Sequence, residues 1–279
     1  MPRAIIFARR PPTVPRAVLD VLQFVLLAGF LGWLALRGAQ GLGYHWQWYL
    51  VPKYLFSLAD GHFTPGPLLL GLWVTIKITL ASLGLSMAFG LATALLRLSP
   101  SPVGRAVAVV YLEAVRNTPL LIQIFFIYFV IAPMVGMSAF PSAVLALSLF
   151  EGAYASEIIR AGIVSIHEGQ WEAAQSTGLN ARQTYRHVIL PQALRRVLPP
   201  LTGQAVSLVK DSALASTIAI FELTMQGQVI VSNTFLTFEI WFTVAAMYLV
   251  MTLAMSLAAG ALEKRFGEAS GQALCRRNA

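Results

Sequence analysis

The chain has 279 residues, of which 57% are hydrophobic and only 11% charged, with a mean hydropathy of +0.69. Soluble domains carry about 25% charged residues, so this composition cannot furnish a water-facing surface and excludes an ordinary globular protein. The net charge of +8 leaves nucleic acid or anionic lipid as partners, and the single cysteine, Cys275, excludes an intrachain disulfide framework and a cysteine zinc site.

A helix crosses the roughly 30 Å hydrocarbon core in about 20 apolar residues. Six stretches qualify, near residues 17 to 36, 68 to 96, 106 to 131, 139 to 163, 197 to 220 and 237 to 261. They are too long and continuous for the short alternating strands of a membrane barrel. The first has a basic start like a secretory signal, but its apolar run exceeds about 15 residues and no A-x-A site follows, so it reads as a retained span. Cytoplasmic loops retain positive charge. Arg3, Arg9, Arg10 and Arg16 therefore place the N-terminus inside, and alternation puts Arg97 and Arg105, the loop with Arg182, Arg186, Arg195 and Arg196, and the tail with Lys264, Arg265, Arg276 and Arg277 on the same side. Topology thus accounts for the basic balance, and nucleic acid becomes unnecessary. The outer loop 38 to 67 holds Tyr44, Trp46, Trp48 and Tyr49, which read as interfacial anchors.

Between the fourth and fifth spans, Val164 to Arg196 forms a polar loop with strong local signals. Gln170 to Thr177 reads as a short helix, Gly178 as its stop, Asn180 as the next N-cap with Gln183 three residues on, and Pro191 as the following break. Two short helices joined by a glycine turn would make a knob on the membrane surface. Glu172, Ala173, Ala174, Gly178, Leu190 and Pro191 stand at the spacing of a known signature, with Val188 where isoleucine is usual. On these residues the chain resembles the EAA-containing permeases of ATP-binding-cassette importers. Glu151 to Arg160, Gly169 to Ala174, Leu190 to Leu194, Leu208 to Asp211 and Arg116 to Leu120 are similar to the polar-amino-acid branch of that family. The resemblance covers roughly residues 65 to 265. It implies that Gln170, Glu172, Ala173, Ala174, Gly178, Leu190 and Pro191 couple to an ATPase, with the two alanines permitting close approach and Glu172 offering a charge-assisted contact.

Ionisable groups at membrane depth cost at least about 2.5 kcal/mol each on insertion scales, so each is a functional candidate. Lys210 and Asp211 lie near mid-span but point about 100° apart, so each either meets another span or sits at a helix interruption, which Pro199 and Pro200 make plausible. Glu151, with Tyr154 on its face, either receives the amino group of a substrate or answers Lys210. Arg116, Asn117 and Thr118 precede Pro119, which must disturb the third span and free a carbonyl. These seven residues are candidates for a translocation path, with salt bridging and packing as the rival reading. Glu157 and Arg160 read as a surface pair, Gly152 and Ser156 as helix packing, Lys77 as snorkelling, and Glu222 and Glu239 as solvated or gate-adjacent.

Ser207 and Lys210 could imitate a serine-lysine peptidase dyad, and buried carboxylates also suit an ion-coupled secondary transporter. Serines near a lysine are common on polar helix faces, which leaves the dyad little weight, and the docking loop discriminates against the transporter. No H-E-x-x-H and no G-x-x-x-x-G-K-[ST] occurs, so neither a zinc protease nor a phosphate cradle is expected. The expectation is an all-α, polytopic membrane protein of about six spans with the type I ATP-binding-cassette importer permease fold. Residues 1 to 67 would form an extra span and periplasmic loop, 68 to 265 the permease domain, and 266 to 279 a cytoplasmic tail. The chain would bear no catalytic residue, metal or cofactor of its own. Its implied partners are an ATPase dimer that binds the ATP, a second permease chain and a periplasmic amino-acid-binding protein, in a bacterial inner membrane.

Overall fold

A computed structural model describes residues 14–41, 44–59 and 62–275. Arg3, Arg9, Arg10, Arg276 and Arg277, which carry part of the charge argument, lie outside the described residues. The chain divides into two compact units, one ending at Gln47 and one beginning at Trp48, upstream of the boundary expected at 68.

The first unit is built on α1 (Val14–Gly41), whose Leu22, Phe24 and Leu31 are all exposed, as in a helix that is apolar all round. Arg37 lies 5.1 Å from the Trp33 ring centroid.

The second unit opens with α2 (Pro52–Leu55) and a hairpin of β1 (Phe56–Ala59) and β2 (His62–Pro65). The pairing is antiparallel, Phe56 opposite Pro65 and Leu58 opposite Phe63, with the Ser57 and Thr64 hydroxyls bonded on the other face. This hairpin was not expected, because its strands are only four residues long. Then follow α3 (Pro67–Leu98), α4 (Pro102–Arg116), α5 (Leu120–Phe125), a π turn (Phe126–Ile131), α6 (Ala132–Val135) and α7 (Ala139–Val164). Next come α8 (Glu168–Ser176), α9 (Ala181–Thr184), a second π turn (Tyr185–Ile189) and α10 (Leu190–Asp211). A 3-10 segment (Ser212–Ile218), α11 (Leu223–Thr234) and α12 (Thr237–Cys275) complete the described chain.

Among the described residues, three helices are long and apolar enough to cross a bilayer unbroken: Pro67–Leu98, Ala139–Val164 and Thr237–Ala261. Two expected spans are instead bent pairs. Pro102–Arg116 meets Leu120–Val135 at 108°, and Ala181–Ile218 meets Leu223–Thr234 at 50°. The apolar stretch of α1, Val21–Leu34, is shorter than a full span, so the expected six are reached only by adding it to three straight and two bent ones.

Two local expectations are corrected. Pro191 does not break the chain, because the π turn hands over to α10 with Leu190 N–H donating to the Tyr185 carbonyl, and Pro191 enters the first turn, where no N–H is needed. What looked like a second short helix is the start of a long one. Pro199 and Pro200 are both exposed and leave α10 continuous, with the Thr202 hydroxyl donating to the Pro199 carbonyl at 2.7 Å.

The centre of the second unit is the packing of α3 on α7 through small residues. Ser148 donates to the Ser82 carbonyl at 3.3 Å, and a Cβ on Gly152 would stand 2.8 Å from that of Phe89. A Cβ on Gly90 would stand 2.8 Å from that of Ala155. Side chains this small let the backbones approach and give dispersion contacts where no hydrophobic driving force acts between helices. Gly152→Val should therefore lower stability by about 1–3 kcal/mol through overpacking. Thermal unfolding in detergent checks this; an unchanged midpoint would mean that α3 and α7 part easily.

Candidate functional site

The described residues present three polar features that can move or receive something. The first is the knob around α8. The His167 ring accepts from Gly169 N–H at 3.0 Å at its start, and Gly178, at φ +80°, ends it. Asn180 and Gln183 then form the expected capping box, at 2.9 and 3.0 Å. Gln170, Glu172, Ala173 and Gly178 are exposed, as are Leu190 and Pro191. Ala174 is only 4% exposed and points into the knob. Its carbonyl accepts from Leu179 N–H and from the Thr177 hydroxyl, so the residue closes the knob on itself, and the outward face is Glu172 and Ala173. Two side-chain links fasten α8 to the long helix. The Trp171 and Tyr185 rings meet edge to face at 5.0 Å, and Gln192 donates to Gln170 at 3.0 Å.

The second feature is the elbow between α4 and α5. Asn117 donates to both the carbonyl and the carboxylate of Glu113 at 2.8 Å, so Glu113 serves the turn and leaves Arg116 free of it. Thr118 donates to the Ala114 carbonyl at 2.8 Å. Arg116 stands 5.5 Å from the Tyr154 ring centroid, bringing two predicted residues together as a cation–π pair. The elbow is held by Gln123, which sequence reasoning missed. Its amide donates to the Val115 carbonyl at 2.8 Å, the Thr118 carbonyl at 3.1 Å and the Thr118 hydroxyl at 2.8 Å. A lone glutamine in the apolar run Leu120 to Phe125 was the available signal. Beside it opens an apolar cavity of about 490 Å³ whose polar lining is Thr118 and Gln123.

The third is a carboxylate pair. Glu151 on α7 is 2% exposed, faces Asp211 and Gln204 of α10, and has both oxygens buried without a hydrogen bond. Of the two roles open to Glu151, pairing with Lys210 is not made. Lys210 is exposed, because adjacent helical residues diverge and Asp211 takes the inner direction. Gln204 was also missed, although its spacing of seven from Asp211 puts both on one face. Glu157 is engaged elsewhere, paired with both Arg97 and Arg160, so it is part of a three-member cluster and not an isolated surface pair.

Glu222 and Glu239 are each 0% exposed, which overturns the solvated reading. Glu222 caps α11 by accepting from Met225 N–H at 2.8 Å, and also accepts from Tyr248 at 2.8 Å and Thr75 at 3.4 Å. Thr75 in turn accepts from Leu223 N–H at 3.1 Å. The carboxylate thus ties α3, α11 and α12 together.

Residues 82–268 match the family described as binding-protein-dependent transport system inner membrane component. The chain belongs to this family of inner-membrane transport components. The glutamine transport system permease protein GlnP of Escherichia coli (strain K12) is 40% identical over 204 residues, 71% of this chain and 93% of that one. The L-cystine transport system permease protein TcyB of Bacillus subtilis (strain 168) is 39% identical over 226 residues, covering 80% and 93%. A crystal structure of an amino acid ABC transporter with histidines superposes with a TM-score of 0.67 at 38% identity, covering 71% of this chain and 94% of that chain. The inner-membrane component fold recurs in the MetNI methionine transporter in an inward-facing conformation, at a TM-score of 0.63 and 20% identity. The family's members are transport permeases and not enzymes, and the relatives give the ion-coupled alternative no support. The matched region takes in α7, the knob and α10, so all three meeting points of predicted residues lie within it.

Proposed function

We propose that this chain is the permease of an importer that carries a polar amino acid across a bacterial inner membrane, energised by a separate ATPase seated on α8. The observation that carries the reading is the knob itself. It presents Glu172 and Ala173 outward, is capped by its own side chains, and is linked to the π turn and α10 by Trp171–Tyr185 and Gln170–Gln192. A self-contained helical face of this kind suits a groove on a partner, with Glu172 supplying a charge-assisted contact. Gly178, Leu190 and Pro191 position that face.

The solute class follows from the relatives named for glutamine and L-cystine. Arg116, Asn117, Thr118 and Tyr154 at the elbow, and Glu151 with Asp211 at the α7–α10 contact, are the residues proposed to line the path, with Lys210 beside it. A buried carboxylate beside a second one is a natural receiver for an ammonium group. The assembly comprises an ATPase dimer that binds the ATP, a second permease chain and an external amino-acid-binding protein, with the N-terminus and the α8 knob on the cytoplasmic side. The permease holds no cofactor and acts by having two packings that the ATPase state biases.

The test is ATP hydrolysis by the permease reconstituted in lipid with its ATPase, with the binding protein loaded with each amino acid in turn. One loaded protein should stimulate hydrolysis several-fold, and Glu172→Arg should abolish the stimulation. Absence of any stable ATPase complex would refute the reading.

A further inference from the structure

The elements around the 50° bend differ in what holds them. On one side, α10 runs unbroken from Leu190 to Asp211, about 33 Å at the usual helical rise, and its first turn and the π turn before it carry the two links to α8. On the other, α11 is fixed at its first turn by the Glu222 carboxylate, through Tyr248 of α12 and Thr75 of α3. Gly71 adds to this anchor, since a Cβ there would stand 3.0 Å from the Glu222 carbonyl and the Leu223 Cα. Between them lies the 3-10 segment Ser212–Ile218, ending in Ala219 at φ +58°, a conformation that a non-glycine residue seldom adopts.

We infer that Tyr185 and Gln192 are positioning residues that deliver displacement of α8 into α10, and that Glu222 holds α11 still, so that the movement is taken up between Ser212 and Ala219. This rests on the reading of α8 as the ATPase seat, and goes beyond it by naming what moves, what stays and where the chain flexes. The geometry has a direct consequence for the path. Asp211 is the last residue of the driven helix, while its neighbour Glu151 belongs to α7, which packs on α3 by small residues. The tightest meeting of α7 with α10 is at the opposite end, where a Cβ on Gly162 would collide with Val197 and Arg196 donates to the Ser165 hydroxyl, so that contact is the pivot. Displacement of α10 therefore changes the spacing of the two carboxylates, while the outer limb is left in place.

Spin-label distances in the reconstituted importer test this, on a Cys275→Ser background diluted with unlabelled chain. Labels on Arg195→Cys and Ser232→Cys report α10 against α11, and labels on Ser232→Cys and Leu249→Cys report α11 against α12; all three sites are exposed. A non-hydrolysable ATP analogue should shift the first distance by at least about 2 Å and leave the second unchanged. Tyr185→Ala combined with Gln192→Ala should abolish that shift and uncouple hydrolysis from uptake while the ATPase still co-purifies, and Tyr185→Phe, which keeps the ring contact, should restore both. Tyr248→Phe, which removes a donor from Glu222, should let the second distance change as well. Equal, unshifted distances in a transport-active complex would overturn the inference, as would a shift that survives in the double variant. Failure of the ATPase to co-purify with the unsubstituted permease would instead refute the seat on α8, so the two failures are separable.

Discussion

Gly178→Val is expected to cut uptake by about tenfold or more while membrane insertion and protein level stay normal. The residue sits at φ +80°, and nothing lies within 4 Å of where its Cβ would be. Crowding is therefore absent, and the whole effect comes from the backbone. A side chain in the left-handed region costs roughly 1–2 kcal/mol, more for a β-branched one. Relief comes by turning φ negative, which swings α8 relative to the Asn180 cap and removes Glu172 and Ala173 from their position. A coupling loss of about 1.4 kcal/mol is a factor of ten. Asparagine tolerates this conformation, so Gly178→Asn should retain most of the uptake. Radiolabelled amino-acid uptake at matched expression decides the matter, and equal activity of the valine and asparagine variants would show that the turn does not position the coupling face.

Glu151→Leu should separate stability from transport in opposite directions. An unpaired buried polar group costs about 1–3 kcal/mol, and a buried charge more. Since both oxygens of Glu151 lack a hydrogen bond, an apolar residue of similar size relieves that cost and should raise the thermal midpoint. If the carboxylate receives the substrate, transport should fall by more than about tenfold in the same variant. A lower midpoint with transport intact would make Glu151 a structural group instead. Glu222→Leu provides the contrast, because that carboxylate caps α11 and ties it to Tyr248 and Thr75, so its loss orphans the Met225 N–H and severs both ties.

The knob was the most legible part of the sequence, because its signals are local. Gly178, Asn180 and Gln183 act within a few residues of one another, and the turn and capping box follow from their own chemistry. The bends were legible only as disturbances. Pro119 announces a break, but its 108° depends on Gln123 reaching back to Val115 and Thr118. Pro199 and Pro200 suggested an interruption, which the chain makes instead at residues 219–222, just past the 3-10 segment Ser212–Ile218, where no proline stands. Least legible were the buried carboxylates. Glu222 lies near a span end and reads as solvated until Thr75 and Tyr248, from two other helices, are brought to it. The direction of Ala174 was equally hidden, since the signature places an alanine there but does not say which way it points.

The self-capped build of the α8 knob bears on how such transporters diverge. Its turns are closed by His167, Gly178, Asn180 and Gln183, and its floor by Ala174, so the outward residues carry no part in folding the loop. With an ATPase seated there as proposed, substitutions on that outer face can follow a changing partner without refolding what lies beneath. Partner choice and solute choice can then evolve as separate traits within one chain.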